Sequence, residues 1–316
     1  MKRLSFVLAI AIATLTKPAH PQLKVNPNQA AILRWYAANL TTSFNVGRVP
    51  SGVAFDGTNL WVGNYFDNTV TKLRASDGTL LGTFPAGNAP QGMAFDGVNI
   101  WVANLDVYGT VTKLRASDGS LLGSFPVGNA PNAIAFDGAN IWAANSGDNT
   151  VTKLRAVDGT VLGTFKVGAY PNGAAFDGAN IWVANTSDNT VTKLRASDGA
   201  CVGGCTFAVG KIPEGVAFDG YNIWVANGSG GSVTKLRASD GALLGTFTVG
   251  AGPVGIAFDG ANIWVSNVGD NTVTELRVRD GAQLGTFTVG VGPVGIAFDG
   301  ANIWVTNDGS NTVSKL

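Results

Sequence analysis

The chain ends on residues 303–316, IWVTNDGSNTVSKL, and this stretch decides the fold. It repeats the middle of a unit found throughout the sequence, for example PVGIAFDGANIWVSNVGDNTVTELRVRDGAQLGTFTVG at residues 253–290. In the earlier copies the run that corresponds to NTVSKL continues into a further run such as QLGTFTV, whereas the last copy stops at Leu316. The last unit therefore lacks one segment, which has to come from elsewhere in the chain.

A regularly spaced tryptophan marks the period of the unit. The seven copies are Trp61, Trp101, Trp142, Trp182, Trp224, Trp264 and Trp304, with spacings of 40, 41, 40, 42, 40 and 40 residues. A period near 40 residues indicates a propeller blade or a solenoid coil.

Each unit contains four short runs rich in β-branched and aromatic residues, such as GIAF, NIWVSN, TVTELR and QLGTFTV. Asp-Gly lies between the first and second runs and between the third and fourth, which is typical of tight hairpin turns. Four antiparallel strands in about 40 residues form one propeller blade. The pattern predicts an all-β protein with four-stranded antiparallel blades.

The N-terminal part of the chain supplies the missing segment. Residues 33–47, LRWYAANLTTSFNVG, align with residues 73–87, LRASDGTLLGTFPAG, at an offset of 40. An outer strand at about residues 40–46 would complete the last unit and remove an unpaired sheet edge. The sequence therefore predicts a seven-bladed β-propeller over residues 40–316, with the ring closed by an N-terminal outer strand.

The first 20 residues, MKRLSFVLAIAIATLTKPAH, have the basic start and short apolar stretch of a secretory signal peptide. We therefore expect a secreted or periplasmic protein, and no segment is apolar enough to predict membrane insertion. Residues 21–39 are expected to lead into the closing strand. Within them, residues 28–39 fit either a strand with a turn or a short helix, and the first is favoured.

Charge gives little indication of a partner. Lys and Arg number 21, Asp and Glu number 21, and the formal net charge is zero. A neutral chain has no general attraction to nucleic acid or to anionic membranes. We expect no nucleic-acid partner and a monomer.

Most of the repeated polar residues have a structural interpretation. The tryptophans are expected to pack between blades, and the Asp-Gly and Asp-Asn acids to cap turns. The lysine and arginine of the recurring TKLR run are expected on a solvated strand face.

The unit resembles the YVTN family of β-propeller repeats, with Trp304, Val305, Thr306 and Asn307 in the place of the Tyr-Val-Thr-Asn strand. It is similar to the repeats of the virginiamycin B lyase-like propeller group. The resemblance covers residues 40–316 and implies a seven-bladed ring. For the lyase group it also implies a histidine base and magnesium, but no link or loop of the repeats contains histidine.

The candidate site lies where the repeats differ. Both Asp-Gly turns belong to one face of the ring, whereas the Asp-Asn loops and the links between blades belong to the other, more varied face. The variable link residues predicted to bind a ligand are Arg48, Ser51, Gln91, Asn132, Tyr170, Asn172, Lys211 and Glu214. The last two links carry only Gly, Val and Ala around their prolines, so the rim suits a small polar ligand or a peptide with one apolar side.

Two functions remain open. The first is a non-catalytic binding or scaffold module without a cofactor, whose partner is a glycan, a peptide or another surface molecule. The alternative is a lyase-like or lactonase-like enzyme with a divalent cation and a site around Glu214, beside Lys211 and Arg48. The only histidine, His20, lies at the end of the expected signal peptide. The repeats have no histidine to act as a general base, and this favours the first function.

Cys201 and Cys205, in ACVGGCTF, are the only cysteines. Because they flank a short insertion in an exported chain, we expect a disulfide that adds about 2 kcal/mol to the free energy of unfolding. Mass spectrometry of protein recovered from an oxidising compartment should find the two residues linked. Two free thiols in that sample would contradict the assignment.

Overall fold

The computed structural model describes residues 42–316, which form 28 strands in seven four-stranded antiparallel sheets. Each sheet is one blade, and the seven blades surround a central axis, so the predicted fold is confirmed. The described range includes no helix with the length and apolarity needed to span a membrane. The expected signal peptide, the segment 21–39 and the choice between strand and helix at 28–39 lie outside the described residues.

The first four blades each contain four consecutive strands. Blade 1 consists of β2 (Pro50–Phe55), β3 (Asn59–Asn64), β4 (Thr69–Arg74) and β5 (Leu80–Pro85). Blade 2 consists of β6 (Pro90–Phe95), β7 (Asn99–Asn104), β8 (Thr110–Arg115) and β9 (Leu121–Pro126). Blade 3 consists of β10 (Pro131–Phe136), β11 (Asn140–Asn145), β12 (Thr150–Arg155) and β13 (Val161–Lys166). Blade 4 consists of β14 (Pro171–Phe176), β15 (Asn180–Asn185), β16 (Thr190–Arg195) and β17 (Cys201–Ala208).

The last three blades complete the ring. Blade 5 consists of β18 (Lys211–Phe218), β19 (Asn222–Ser229), β20 (Ser232–Arg237) and β21 (Leu243–Thr248). Blade 6 consists of β22 (Pro253–Phe258), β23 (Asn262–Asn267), β24 (Thr272–Arg277) and β25 (Gln283–Thr288). Blade 7 consists of β26 (Pro293–Phe298), β27 (Ile303–Asn307), β28 (Thr312–Lys315) and β1 (Thr42–Asn45).

Blade 7 closes the ring as the repeat alignment predicts. Strand β1 pairs with β28, and Phe44 lies opposite Val313 in the register. In blade 1 the equivalent Phe84 lies opposite Val70, so β1 takes the position that an outer strand has in a blade made of consecutive strands. Closure between the two ends of the described chain therefore uses the same side-chain pairing as the rest of the ring.

Strand β17 contains the two cysteines. Cys201 and Cys205 form a disulfide with their Cα atoms 5.0 Å apart, and the described residues contain no free cysteine. The strand has eight residues where the other outer strands have four or six. The insertion that carries the pair is thus accommodated within the outer strand.

The Asp side chain in the first Asp-Gly turn of each blade connects that turn to the core. In blade 1, Asp56 Oδ1 accepts hydrogen bonds from the backbone N–H of Thr58 at 2.9 Å and of Asn59 at 2.6 Å. Its Oδ2 accepts from the indole N–H of Trp61 at 2.8 Å. Burial alone would raise the pKa of Asp56, but the bonds from Trp61 and Asn59 outweigh it and leave the pKa below its ordinary value. Turn capping by these acids is confirmed, and each also anchors a tryptophan.

The tryptophans form the core between blades, as predicted. Trp101 is fully buried and packs with Ile141, Ala143 and Leu154 of the following blade. On its own blade its ring lies 5.5 Å from that of Phe125. Burying one such indole contributes on the order of 5 kcal/mol. The clusters are distributed around the ring, between adjacent blades.

The expectation that the TKLR lysine is solvated is wrong. Lys72 is only 7% exposed, and its ammonium lies 4.8 Å from the centre of the Trp61 ring. It donates hydrogen bonds to the backbone oxygens of Ala116 at 2.7 Å and Ser117 at 3.2 Å, in blade 2. The long apolar stem packs along the buried interface, so the charged end can reach these carbonyls. Only the arginine is on the surface, where Arg74 pairs with Asp77.

Six of the seven junctions use this lysine, and the junction after blade 6 differs. There Glu275 replaces the lysine and accepts a hydrogen bond from Asn262 Nδ2 at 2.9 Å. Trp264 is partly exposed, whereas the equivalent tryptophans of the other six blades are fully buried. Burial and the nearby Asp259 raise the pKa of Glu275. Blade 6 is therefore joined to blade 7 without the ammonium bridge.

Replacing a bridging lysine should destabilise the ring. Lys153→Met keeps the apolar stem but removes the donor to Ala196 O, 2.7 Å away, and the cation over Trp142. We expect a loss of about 1–3 kcal/mol in the free energy of unfolding, measured by urea denaturation.

The matched control is Arg155→Ala on the same strand, because Arg155 pairs with Asp158 at the surface. This change should cost less than about 1 kcal/mol. An equal effect of the two substitutions would contradict a bridging role for Lys153.

Candidate functional site

The innermost strand of each blade turns one side chain towards the axis. In β2 the pairing register with β3 shifts between Pro50 and Val53, and the inner strands of the other blades have a shift after the same proline. Such a bulge bends a strand and redirects its side chains. The residue that follows each proline is Ser51, Gln91, Asn132, Asn172, Glu214, Val254 or Val294.

The next residue shows how closely the inner strands approach one another. A Cβ atom at Gly52 would overlap the backbone oxygen of Gln91, and one at Gly173 would overlap that of Glu214. Glycine occupies this position in six blades, and Ala133 is the exception. Contact between the inner strands thus fixes the width of the axial opening.

These residues line a cavity of about 380 Å³ at the axis. All seven residues that follow the prolines lie in its wall, together with Val49 and Asp308. The wall is divided into two parts. Blades 1–5 contribute hydroxyl, amide and carboxyl groups, whereas blades 6 and 7 contribute Val254 and Val294.

Glu214 is the most perturbed group in the cavity. Burial raises the pKa of its carboxyl to about 7, and the hydrogen bond that Asn172 Nδ2 donates to Oε2 offsets part of this rise. The partner is a neutral amide rather than a cation, so the ionised form is only weakly compensated. Glu214 is therefore present in both protonation states near neutral pH.

Asp308 is a second cavity acid, which the link residues did not predict. It lies in the loop between β27 and β28, and burial raises its pKa while the N–H of Gly309 lowers it. A Cβ at Gly292 would overlap the Asp308 carboxylate, so the glycine makes room for it. Comparing the residue after the conserved asparagine across the repeats would have found it, because Asp308 is the only acid at that position.

Three other predicted residues lie in the cavity wall with different hydrogen-bonding capacity. The Ser51 hydroxyl is buried and donates to Pro90 O at 2.5 Å, so it serves the junction between blades 1 and 2. The side-chain amides of Gln91 and Asn132 are partly exposed and make no hydrogen bond to another described residue. Two amides therefore remain available to a ligand.

The structure does not bring Arg48, Tyr170 and Lys211 into the cavity wall. Arg48 points to the surface, where its Nε lies 2.6 Å from Asp67 Oδ1. Lys211 is exposed at the start of β18, and Tyr170 is 47% exposed in the preceding link. The expected convergence of Glu214, Lys211 and Arg48 is not seen, because only Glu214 faces the axis.

The residue before each proline has a left-handed backbone. The φ angle is 52° at Val49, 56° at Tyr170 and 55° at Ile212, whereas blades 6 and 7 use Gly252 and Gly292. β-branched residues rarely adopt this conformation, and it costs about 1–3 kcal/mol. An asparagine side chain of the preceding blade stabilises it, for example Asn189 Oδ1 accepting from Ile212 N at 2.9 Å.

The site can accept hydrogen bonds and exchange a proton. Its only titratable wall groups are Glu214 and Asp308, and none of the wall residues is cationic. No group of three or more His, Cys, Asp or Glu side chains within residues 42–316 is placed to hold a metal ion. The wall thus combines two carboxyl groups, two available amides and an apolar side.

Solved structures with the same fold include proteins of different activity. Hydrazine synthase of Kuenenia stuttgartiensis has a TM-score of 0.75 and 18% identity, covering 85% of this chain and 95% of its own. A streptogramin B lyase gives 0.72 and 17%, covering 87% and 96%. Virginiamycin B lyase from Staphylococcus aureus gives 0.73 and 19%, covering 87% and 98%. No family model and no curated protein matches the sequence. At these identities the likeness shows the fold.

The raised pKa of Glu214 makes stability depend on pH. Its folded pKa of about 7 exceeds the ordinary value of 4.5, so the folded state holds the proton more tightly than the unfolded state. The contribution of this group to the free energy of unfolding is fully present below pH 4.5. It is lost as the pH rises through 7, and the total loss is roughly 3 kcal/mol.

Glu214→Gln removes this ionisation, and the glutamine oxygen can still accept the hydrogen bond from the Asn172 amide. The variant should therefore be more stable than the parent at about pH 8, and the difference should disappear near pH 4. Thermal melting across this range measures it. Asp118→Asn is the control, because the Asp118 pKa is lowered to about 2 by Ser120. A Glu214→Gln variant less stable than the parent at pH 8 would contradict the burial argument.

Proposed function

We propose that the chain is an exported, non-catalytic binding propeller that takes a small polar ligand, or the end of a peptide or glycan, in its axial cavity. The observation that carries this proposal is the partly compensated carboxyl of Glu214 in the cavity wall. The export part of the proposal depends on the sequence pattern of residues 1–20 alone.

The cavity wall supports binding. A pocket of about 380 Å³ with a few polar groups and one apolar side has the size and composition of small-ligand sites. Gln91 and Asn132 offer both donors and acceptors, while Val254 and Val294 offer apolar contact. The polar groups can orient a ligand, and the valines can bury its apolar part.

The same carboxyl supports a second candidate function, acid–base catalysis. A group with a pKa of about 7 can both donate and accept a proton near neutral pH. Two of the proteins with a similar fold are described as lyases. Under this proposal Glu214 would be the acid or base, and Asn172 would position it.

A binding measurement distinguishes the two functions. Ligands are first identified with glycan and peptide arrays, and each is then tested against Glu214→Gln by calorimetry. Loss of a hydrogen bond to the charged carboxyl should weaken binding by about 1.5–3 kcal/mol, or roughly ten- to a hundredfold. Glu275→Gln is the matched control, because it makes the same change outside the cavity and should leave the affinity unchanged.

Lys72→Ala is unsuitable as a surface control, because Lys72 belongs to a junction between blades.

Conversion of an array ligand by the parent but not by Glu214→Gln would favour the enzyme. A ligand whose affinity is unchanged in Glu214→Gln would contradict the axial site under either function.

A further inference from the structure

The two acids of the axial cavity belong to different blades, and apolar wall residues lie between them. Glu214 is in blade 5 and Val254 is in blade 6, whereas Val294 and Asp308 are both in blade 7. Neighbouring inner strands touch, since a Cβ atom at Gly215 would overlap the backbone oxygen of Val254. Around the wall from blade 5 to blade 7, a ligand therefore meets a carboxyl group, the valine of blade 6, and then the valine and the carboxyl group of blade 7.

The repeat geometry shows where Asp308 lies relative to the valine of its own blade. Gly228 of blade 5 has the same repeat position as Asp308. A Cβ atom there would lie 3.2 Å from Cγ of Glu214, the residue that follows the proline of that blade. The residue that follows the proline in blade 7 is Val294. The side chain of Asp308 is thus expected beside Val294, at the end of the apolar part that is remote from Glu214.

Neither cavity acid has a cationic partner among residues 42–316. Glu214 accepts a hydrogen bond from the neutral amide of Asn172, and Asp308 accepts one from a backbone N–H. The salt bridges of the described chain include neither acid. Asp67, a loop acid outside the wall, is instead paired with Arg48. The charges of the two cavity acids are therefore left for a ligand to compensate.

The order of these groups specifies the chemistry of a matching ligand. A carboxylate only accepts hydrogen bonds and binds most strongly to an ionised donor, and an ammonium group has three donors and no acceptor. The valines between the acids favour an apolar segment in the middle of the ligand. No Lys or Arg lines the cavity, so an anion would find no opposite charge there. An aliphatic diamine has the required groups in the required order.

We propose that the axial cavity binds an aliphatic diamine, with one ammonium group on Glu214, the other on Asp308 and the methylene chain against Val254 and Val294. This inference rests on the proposed binding function and specifies its ligand class. It also gives a role to Asp308, which is the only acid at its repeat position.

The test uses three five-carbon probes: cadaverine has an ammonium group at each end, pentylamine has one, and glutarate has a carboxylate at each end. Calorimetry with the full chain at about pH 8 should show cadaverine binding at least about tenfold more tightly than pentylamine, because pentylamine can reach only one acid. Glutarate should not bind. Binding of glutarate in the cavity would contradict the charge argument.

The acids are tested one at a time. Glu214→Gln and Asp308→Asn should each weaken cadaverine binding by about tenfold or more. Each should also remove the preference for cadaverine over pentylamine, because a single acid then remains. A general loss of structure would not change this preference selectively. Thermal melting checks that both variants fold, and if Asp308→Asn does not, Asp308→Ser replaces it, since Ser146 occupies the equivalent position in blade 3.

Asp106→Asn is the matched control. Asp106 is an acid of a loop on the same face, but it does not line the cavity. Its side chain accepts a hydrogen bond from Asn88 Nδ2 at 2.9 Å, and asparagine can still accept this bond. The substitution removes one negative charge from that face and should leave both the cadaverine affinity and the preference for cadaverine unchanged.

Equal affinities for cadaverine and pentylamine would overturn the inference, and so would a preference for cadaverine that Asp308→Asn leaves unchanged. No cadaverine binding at millimolar concentration would also overturn it. If an array ligand still bound in a Glu214-dependent manner, the axial binding function would stand and only the ligand class would be wrong. If no ligand of any class depended on Glu214, the binding function itself would fail.

Discussion

A lysine ammonium group joins one blade to the next at six of the seven junctions, and five of these lysines are buried while Lys315 is partly exposed. The lysine stem packs on the tryptophan of its own blade, and the charged end donates to backbone oxygens of the following blade, as Lys113 does to Ala156 at 2.7 Å. Burying a charge is costly unless hydrogen bonds satisfy it. Because the acceptors belong to the neighbouring blade, this cost is offset only when the two blades are correctly positioned. The interaction therefore couples apolar packing between blades to a defined orientation.

That coupling fixes the positions of the inner strands. The tryptophan side chain donates a hydrogen bond to the Asp of the first turn, as Trp101 does to Asp96 at 2.7 Å, so the turn between the first and second strands is tied to the junction. At the axis the strands approach until a Cβ at Gly255 would overlap the backbone oxygen of Val294. These backbone contacts set the width of the cavity, and most of its chemistry comes from the single residues that follow the prolines, together with Asp308.

The repeated part of the molecule could be predicted because seven copies provide an internal comparison. The blade number, the turns and the closing strand all follow from residues that recur with a period near 40. The environment of Lys72 could not be predicted, because alternation along a strand does not show whether a charged residue meets solvent or another blade. The direction of Arg48 could not be predicted either, since its pairing with Asp67 depends on the bend of a link.

The site depends on the positions where the repeat is broken, and these are harder to interpret from sequence. Asp308 and Gly228 occupy the same repeat position in different blades. Asp308 lies in the cavity wall, whereas Gly228 packs against the side chain of Glu214. Glu275 also breaks the repeat, yet it lies between blades, where it takes Asn262 as its donor. A departure from the repeat is therefore not enough to identify a binding residue. The distinguishing observation is geometric: Glu214 faces open space at the axis, and the backbone around it leaves that space unfilled. A ring stabilised by six junctions of the same kind can tolerate an incompletely paired carboxyl at one point, and such a local cost is what the function that we propose for Glu214 would require.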